Sequence, residues 1–341
     1  MNIVIALVPV FLMLALLQLM DSFKLVRLTS VLTAIGAGVV AALVLLPAHD
    51  WLIGVLNMTT SVRSFTRYIS PLTEESLKAL FIVFLLWRRR VGFLVDAAVL
   101  GFGVGAGFAV IENIDYLREL PNASLTLWLV RGLGTAVLHG ATTAIFAMVS
   151  KTLMDRWTDR HALALLPGLG LAVAIHSAFN HVPLPPLAMT FLIMLVLPLL
   201  IVVVFQRSEA STREWVGAGL DLDVELLELV RSEHFAYTRF GTYLHELRER
   251  FHGLVVTDMF CLLRLELELS IQAKAMLLAR EAGLVIPVTP DLQISLDEIA
   301  YLQSSIGRTG LLALKPLQVT SDRDRWHRYL LAEAGKASRQ P

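Results

Sequence analysis

The sequence predicts an all-α fold: a polytopic membrane helix bundle of about seven transmembrane helices, followed by a C-terminal soluble helical domain. Three observations point there. The 341 residues are 56% hydrophobic and only 17% charged, whereas a soluble domain is about 45–50% apolar and about 25% charged. The excess is uneven: the long apolar runs lie in residues 1–206, and most of the charge lies in residues 207–341. A bilayer core of about 30 Å needs about 20 apolar residues per helix, and the first segment holds a series of such runs.

In chain order the runs are 3–20, 28–47, 68–87, 91–113, 125–150, 163–182 and 187–205. Residues 50–67 mix Trp51, Leu52, Ile53 and Leu56 with polar groups and read as a short interfacial segment. No basic region precedes the first run, so it is expected to stay as an anchor. Basic residues favour the cytoplasmic side. Lys24, Arg27, Arg88, Arg89, Arg90, Lys151, Arg156, Arg160, Arg207 and Arg213 fall on one side, against Arg63, Arg67 and Arg118 on the other. The N-terminus is therefore expected outside and the C-terminal domain in the cytoplasm. Trp51, Trp87 and Trp128 read as interfacial belt residues.

The fourth run carries Gly101, Gly103, Gly105 and Gly107. No strand precedes them and no Gly-Lys-Ser/Thr follows, so they are not a phosphate loop. Gly101/Gly105 and Gly103/Gly107 have the spacing that lets another helix approach closely. The C-terminal domain reads as amphipathic helices near 221–231, 235–251, 257–282 and 295–305. Leu262, Leu265, Leu269 and Leu277 lie at helical spacing, with Pro287 and Pro290 as interruptions. Its acidic residues Glu225, Glu228, Glu266 and Glu268 are expected on solvated faces. The single cysteine, Cys261, excludes an intrachain disulfide and a cysteine-rich zinc site.

Chemistry concentrates in the membrane segment. Glu74, Glu75 and Lys78 interrupt a run otherwise apolar enough to span. Each charge costs roughly 2.5–3.5 kcal/mol at a helix centre on an insertion scale, so such groups face a polar interior. Glu74 and Lys78 are four apart and share a face, which pairs them, and leaves Glu75 pointing elsewhere. Phe108, Glu112 and Asn113 lie near the outer end of the fourth run, and His139 lies in the fifth. His176 and Asn180 share a face of the sixth. A rise of 1.5 Å per residue puts Glu75 and His176 roughly 10 Å deep and His139 roughly 20 Å deep. Glu75, Glu112, His176 and Asn180 are thus expected to converge in the outer half of the bundle, above His139.

That set suits water activation: Glu75 as general base, Glu112 orienting the water, and His176 and Asn180 donating to an oxyanion. Phe108 is expected to pack beneath the site, and Arg131 to bind a carboxylate or a lipid phosphate. Glu75, Glu112, His139 and His176 are also zinc-compatible ligands, although His-Glu-x-x-His spacing is absent.

The ordered set Glu74-Glu75-x-x-Lys78, Phe108-x-x-x-Glu112-Asn113, His139 and His176-x-x-x-Asn180 resembles the PrsW family of intramembrane proteases, and more distantly the type II CAAX prenyl endopeptidases. The latter have a Glu-Glu-x-x-x-Arg motif and a His in place of Glu112, so Lys78 and Glu112 favour the PrsW side. The resemblance implies site-1-type cleavage of a membrane-anchored partner, typically an anti-sigma factor, on the extracytoplasmic side. The prenyl endopeptidase likeness implies a metal-free glutamate mechanism, so the cofactor expectation is none or zinc. Partners are expected to be a membrane-anchored protein and the lipid bilayer, not nucleic acid. A transporter using the same groups as a proton or cation path is the alternative; it predicts internal repeats, and none is visible. A non-catalytic scaffold leaves the polar cluster unexplained.

Overall fold

The computed structural model describes residues 2–23, 25–56, 61–157, 161–181, 184–284, 291–317 and 330–332. Lys24, Arg160, Val182, Pro287 and Pro290 lie outside them. Among the described residues the chain is helical without strands. It divides into two compact units, Met1–Glu209 and Ala210–Pro341.

In the first unit, α1 is Asn2–Leu19 and α2 is Leu28–Leu56. A short α3, Val62–Ser64, enters a π-helical turn, Phe65–Ile69, that runs directly into α4, Ser70–Trp87. Helix α5 is Leu94–Glu119. Helix α6, Leu125–Leu129, passes through a second π-helical turn, Val130–Thr135, into α7, Ala136–Arg156. Helix α8 is Leu166–Asn180, and α9, Pro186–Arg231, contains the boundary between the units.

Among the described residues, five stretches are long and apolar enough to cross a membrane: Leu28–Val55, Leu94–Glu119, Leu125–Arg156, Leu163–Asn180 and Pro186–Arg231. The expected seven are not all shown on these grounds. Helix α1 offers only the shorter apolar run Ile3–Leu19, and α4 carries Glu74, Glu75 and Lys78. The polytopic membrane helix bundle stands. Several boundaries also move. The expected interfacial segment is divided, because α2 continues to Leu56. The seventh run and the helix expected at 221–231 are one helix, since neither Gly nor Pro breaks the chain between 206 and 216.

Helices α5 and α7 form the centre, each with 83% of its apolar window buried, against 22–33% for α2, α8 and α9. The glycines explain the close approach. A Cβ on Gly101 would lie 2.7 Å from the Thr143 carbonyl oxygen, and one on Gly105 only 2.1 Å from that of His139. On the opposite face, a Cβ on Gly107 would lie 2.0 Å from the Ile35 carbonyl oxygen. One glycine pair thus seats α7 and the other seats α2, as small residues do between membrane helices. The outer helices expose Phe191, Leu195 and Leu199, a surface suited to acyl chains. Trp51 and Trp87 are exposed, but Trp128 is wholly buried. It departs from the expected belt because α6 packs against α1.

In the second unit, α10 is Arg239–Leu247, α11 is Gly253–Glu281 and α12 is Leu292–Ala313. Leu262, Leu265, Leu269 and Leu277 all face its core. Helix α12 bends at Gly307, whose φ of +69° is open to glycine and strained for other residues. Asp223 is buried and accepts from Lys274 Nζ at 2.5 Å and Ser270 Oγ at 2.6 Å.

Candidate active site

The site gathers at one end of the first unit, where α4 and α7 begin and α5 and α8 end. Antiparallel neighbours bring these termini together. Helix α4 supplies Glu74, Glu75 and Lys78; α5 supplies Phe108, Glu112 and Asn113; α7 supplies His139; α8 supplies His176. Glu74, Glu75, Lys78, Phe108, Asn113, His139 and His176 are all buried.

The ion pair expected between Lys78 and Glu74 is made by Glu75 instead. Lys78 Nζ pairs with Glu75 Oε1 at 2.6 Å, not with Glu74. His176 Nδ1 lies 2.8 Å from the same Oε1. Glu74 instead accepts from Ser70 Oγ through Oε1, and its buried Oε2 has no hydrogen-bond partner. Helical spacing allows Lys78 either carboxylate, at i+3 or i+4. Contacts from outside α4 decide: His176 draws Glu75 toward the lysine.

Glu112 is also relocated. The sequence puts it nearer the outer surface, above His139 as a floor, whereas Glu112 Oε2 and His139 Nε2 are in direct contact at 2.8 Å. Helix α5 runs on to Glu119, so Glu112 lies seven residues, roughly 10 Å, inside its end. Arg131 Nη2 contacts Glu112 Oε2 at 3.0 Å, and Arg131 Nε donates to Asn113 Oδ1 at 2.8 Å. Its guanidinium lies 3.6 Å from the centre of the Tyr116 ring. Arg131 is therefore engaged inside the protein, not offered to an external anion. Asn113 Nδ2 also donates to Ala6 O at 2.9 Å.

Asn180 does not meet the cluster. Its Nδ2 donates to Thr66 O at 2.8 Å. Phe108 has its ring 5.1 Å from that of His139, with Lys78 Nζ also 5.1 Å from its centre. Two contributors escaped the sequence reading. Ser70 binds Glu74 from one turn earlier, a spacing that was visible. His49 contacts Thr73 Oγ1 at 2.7 Å and comes from α2, which local pattern does not reveal.

Three atoms converge: Glu74 Oε2, His139 Nδ1 and His176 Nε2. Each nitrogen is 3.9 Å from Oε2, and all three lie within 4.8 Å of one another. Ionised carboxylates only accept hydrogen bonds. His176 therefore carries its proton on Nδ1, facing Glu75, and His139 on Nε2, facing Glu112. His139 Nδ1 then accepts from Lys78 Nζ at 3.1 Å, and His176 Nε2, when it carries no proton, presents a lone pair to the centre. Such a group could hold a cation, and Glu74 is the carboxylate that Lys78 and Arg131 leave unmatched. The donor set suits a divalent ion of the zinc type, which two histidines and a glutamate hold in many hydrolases. Each histidine is backed by a carboxylate, as metal-ligating histidines usually are. Zinc bonds of about 2.1 Å put neighbouring donors roughly 3.4 Å apart, so each of the two nitrogen–oxygen separations of 3.9 Å would close by about half an ångström.

Buried carboxylates and imidazoles at one end of an apolar helix bundle fit the class of an intramembrane hydrolase. The sequence comparison is more specific. Residues 22–205, just over half of the chain, match the family model described as PrsW family intramembrane metalloprotease. The chain belongs to that family and is a multi-pass membrane peptidase. No curated protein and no solved structure matches it.

Proposed function

We propose that this peptidase cuts a membrane-anchored protein of the anti-sigma-factor kind, in a site-1-type cleavage on the extracytoplasmic side, with a water activated among Glu74, His139 and His176. The observation that carries this reading is the unpartnered, buried Glu74 Oε2 beside two imidazole nitrogens. The N-terminus lies outside and the C-terminal unit in the cytoplasm. The basic residues at the far ends of α4 and α7 support that orientation.

Glu74, His139 and His176 are the residues that would hold a divalent ion. Such an ion supplies Lewis-acid polarisation and a more acidic bound water. Glu75 and Glu112 hold the imidazole tautomers. Where no ion is held there, the Glu74 carboxylate accepts the proton of the attacking water. Lys78 Nζ is the ammonium nearest the centre, and it stabilises charge developing on the scissile carbonyl oxygen. Apolar walls keep bulk water out, which strengthens each of these interactions.

The experiment is co-expression with a tagged single-span anti-sigma-type substrate, comparing wild type with Glu74→Gln, His139→Ala and His176→Ala. Loss of the cleaved fragment in all three, with normal protein levels, is expected. Cleavage that persists in Glu74→Gln overturns the assignment. Chelation followed by zinc addition tests the ion: activity lost and then recovered is expected, and activity retained after verified metal removal rejects it.

A further inference from the structure

The π-helical turn ahead of α4 leaves two backbone carbonyls without their helical donors. Arg67 O would accept from the residue four positions on, but that residue is Pro71, which has no N–H. The Ser70 N–H reaches back to Phe65 O, one residue further than in an α-helix, and so passes over Thr66 O. Carbonyls without donors are costly wherever water does not reach them.

Both carbonyls find donors on α8. Ser177 Oγ donates to Arg67 O at 2.6 Å, and Asn180 Nδ2 donates to Thr66 O at 2.8 Å. Further contacts join the same segments. Arg67 Nη2 donates to His181 O at 3.4 Å, and His181 Nε2 lies 3.1 Å from Tyr68 Oη. Ser177 directly follows His176, and the π-helical turn leads directly into the helix bearing Glu74 and Glu75.

We infer that Ser177 and Asn180 are positioning residues that clasp α8 to the entrance of α4 and so set His176 against the two glutamates. Pro71 creates the need for the clasp, and α8 answers it. Asn180 acts through its grip on Thr66, not by touching substrate. This inference rests on the proposed role of His176 and Glu74, and it reassigns the asparagine expected to serve an oxyanion.

The test is a double-mutant cycle on the full chain in lipid nanodiscs, reading Tm, kcat and KM. Ser177→Ala and Asn180→Ala are expected to lower Tm and to lower kcat by about tenfold to a hundredfold with KM little changed, because displaced groups lose rate steeply. Ser177→Thr keeps the hydroxyl and is expected to restore both. Pro71→Ala returns a backbone donor to Arg67 O, so adding Ser177→Ala to it is expected to change little. An equal Ser177→Ala loss with Pro71 and with Ala at that position overturns the clasp. A fall in kcat for Asn180→Ala with Tm unchanged returns Asn180 to a direct role, and a fall in Tm with kcat unchanged reduces the clasp to structural support. Should the wild type cleave nothing, the peptidase assignment of these groups fails, while the Tm cycle still decides whether the clasp exists.

Discussion

Lys78 Nζ and Glu75 Oε1 form an ion pair of 2.6 Å within one turn of α4, with both side chains almost wholly buried. The pair leaves Glu74, the neighbouring carboxylate, free to face the imidazoles. Removing one partner of a buried pair strands the other charge, which costs about 3–5 kcal/mol. Glu75→Gln is therefore expected to lower Tm markedly, with lost cleavage as a consequence. Glu75→Gln combined with Lys78→Met is expected to regain much of the Tm. Glu74→Gln is expected to abolish cleavage by about a hundredfold or more while leaving Tm close to wild type. Thermal unfolding beside fragment yield separates the two glutamates, and equal Tm losses in both would contradict this division.

Lys78 Nζ also lies 3.1 Å from His139 Nδ1, the lone pair that an ion would need. Ammonium and metal therefore compete for one nitrogen. Lys78→Met is expected to tighten cobalt or zinc binding by about tenfold or more, the scale on which neighbours of metal ligands act. Competition against a chromophoric chelator measures it. Arg131→Met removes a cation that does not touch the three converging atoms, and is expected to have a smaller effect. Unchanged affinity in Lys78→Met would remove the competition.

Arg131 holds Glu112, and Glu112 holds His139. Arg131→Gln is expected to lower kcat by about tenfold to a hundredfold through a loosened His139. Arg131→Lys is expected to recover only part, because a lysine cannot contact Glu112 and Asn113 together in the guanidinium's geometry. Full activity in Arg131→Gln would mean that the Glu112–His139 contact stands without it.

Gly105 passes the His139 backbone so closely that an added Cβ would lie 2.1 Å from its carbonyl oxygen. Gly105→Ala must push α7 away and displace His139, at a cost of about 1–3 kcal/mol or more. It is expected to lower both Tm and cleavage. Gly36→Ala, on α2 with open space around it, is the control and is expected to change neither. A silent Gly105→Ala would show that α7 shifts without moving the site.

Much of this was legible in the chain itself. Apolar run length and composition are local properties, and they announced a membrane helix bundle with a more polar C-terminal part. The steep cost of charge in lipid marked Glu74, Glu75, Lys78 and Glu112 as inward-facing. Glycine spacing foretold the close packing of α5. The ordered motifs also carried the family likeness that the comparison of residues 22–205 then established. The number of spans was less legible, because α4 trades apolar length for its charges.

What only the tertiary structure decided is who pairs with whom. Spacing offered Lys78 to Glu74, but His176, 101 residues away in sequence, drew Glu75 instead. A rise per residue set Glu112 apart from His139, but the true end of α5 brought them into contact. Shared spacing with His176 aimed Asn180 at an oxyanion, but the π-helical turn passes over Thr66 O, and the Asn180 amide donates there instead. The sequence determines which groups must leave the lipid, because transfer energy belongs to each residue. Their partners depend on helix rotation and length, which settle only when several helices pack at once.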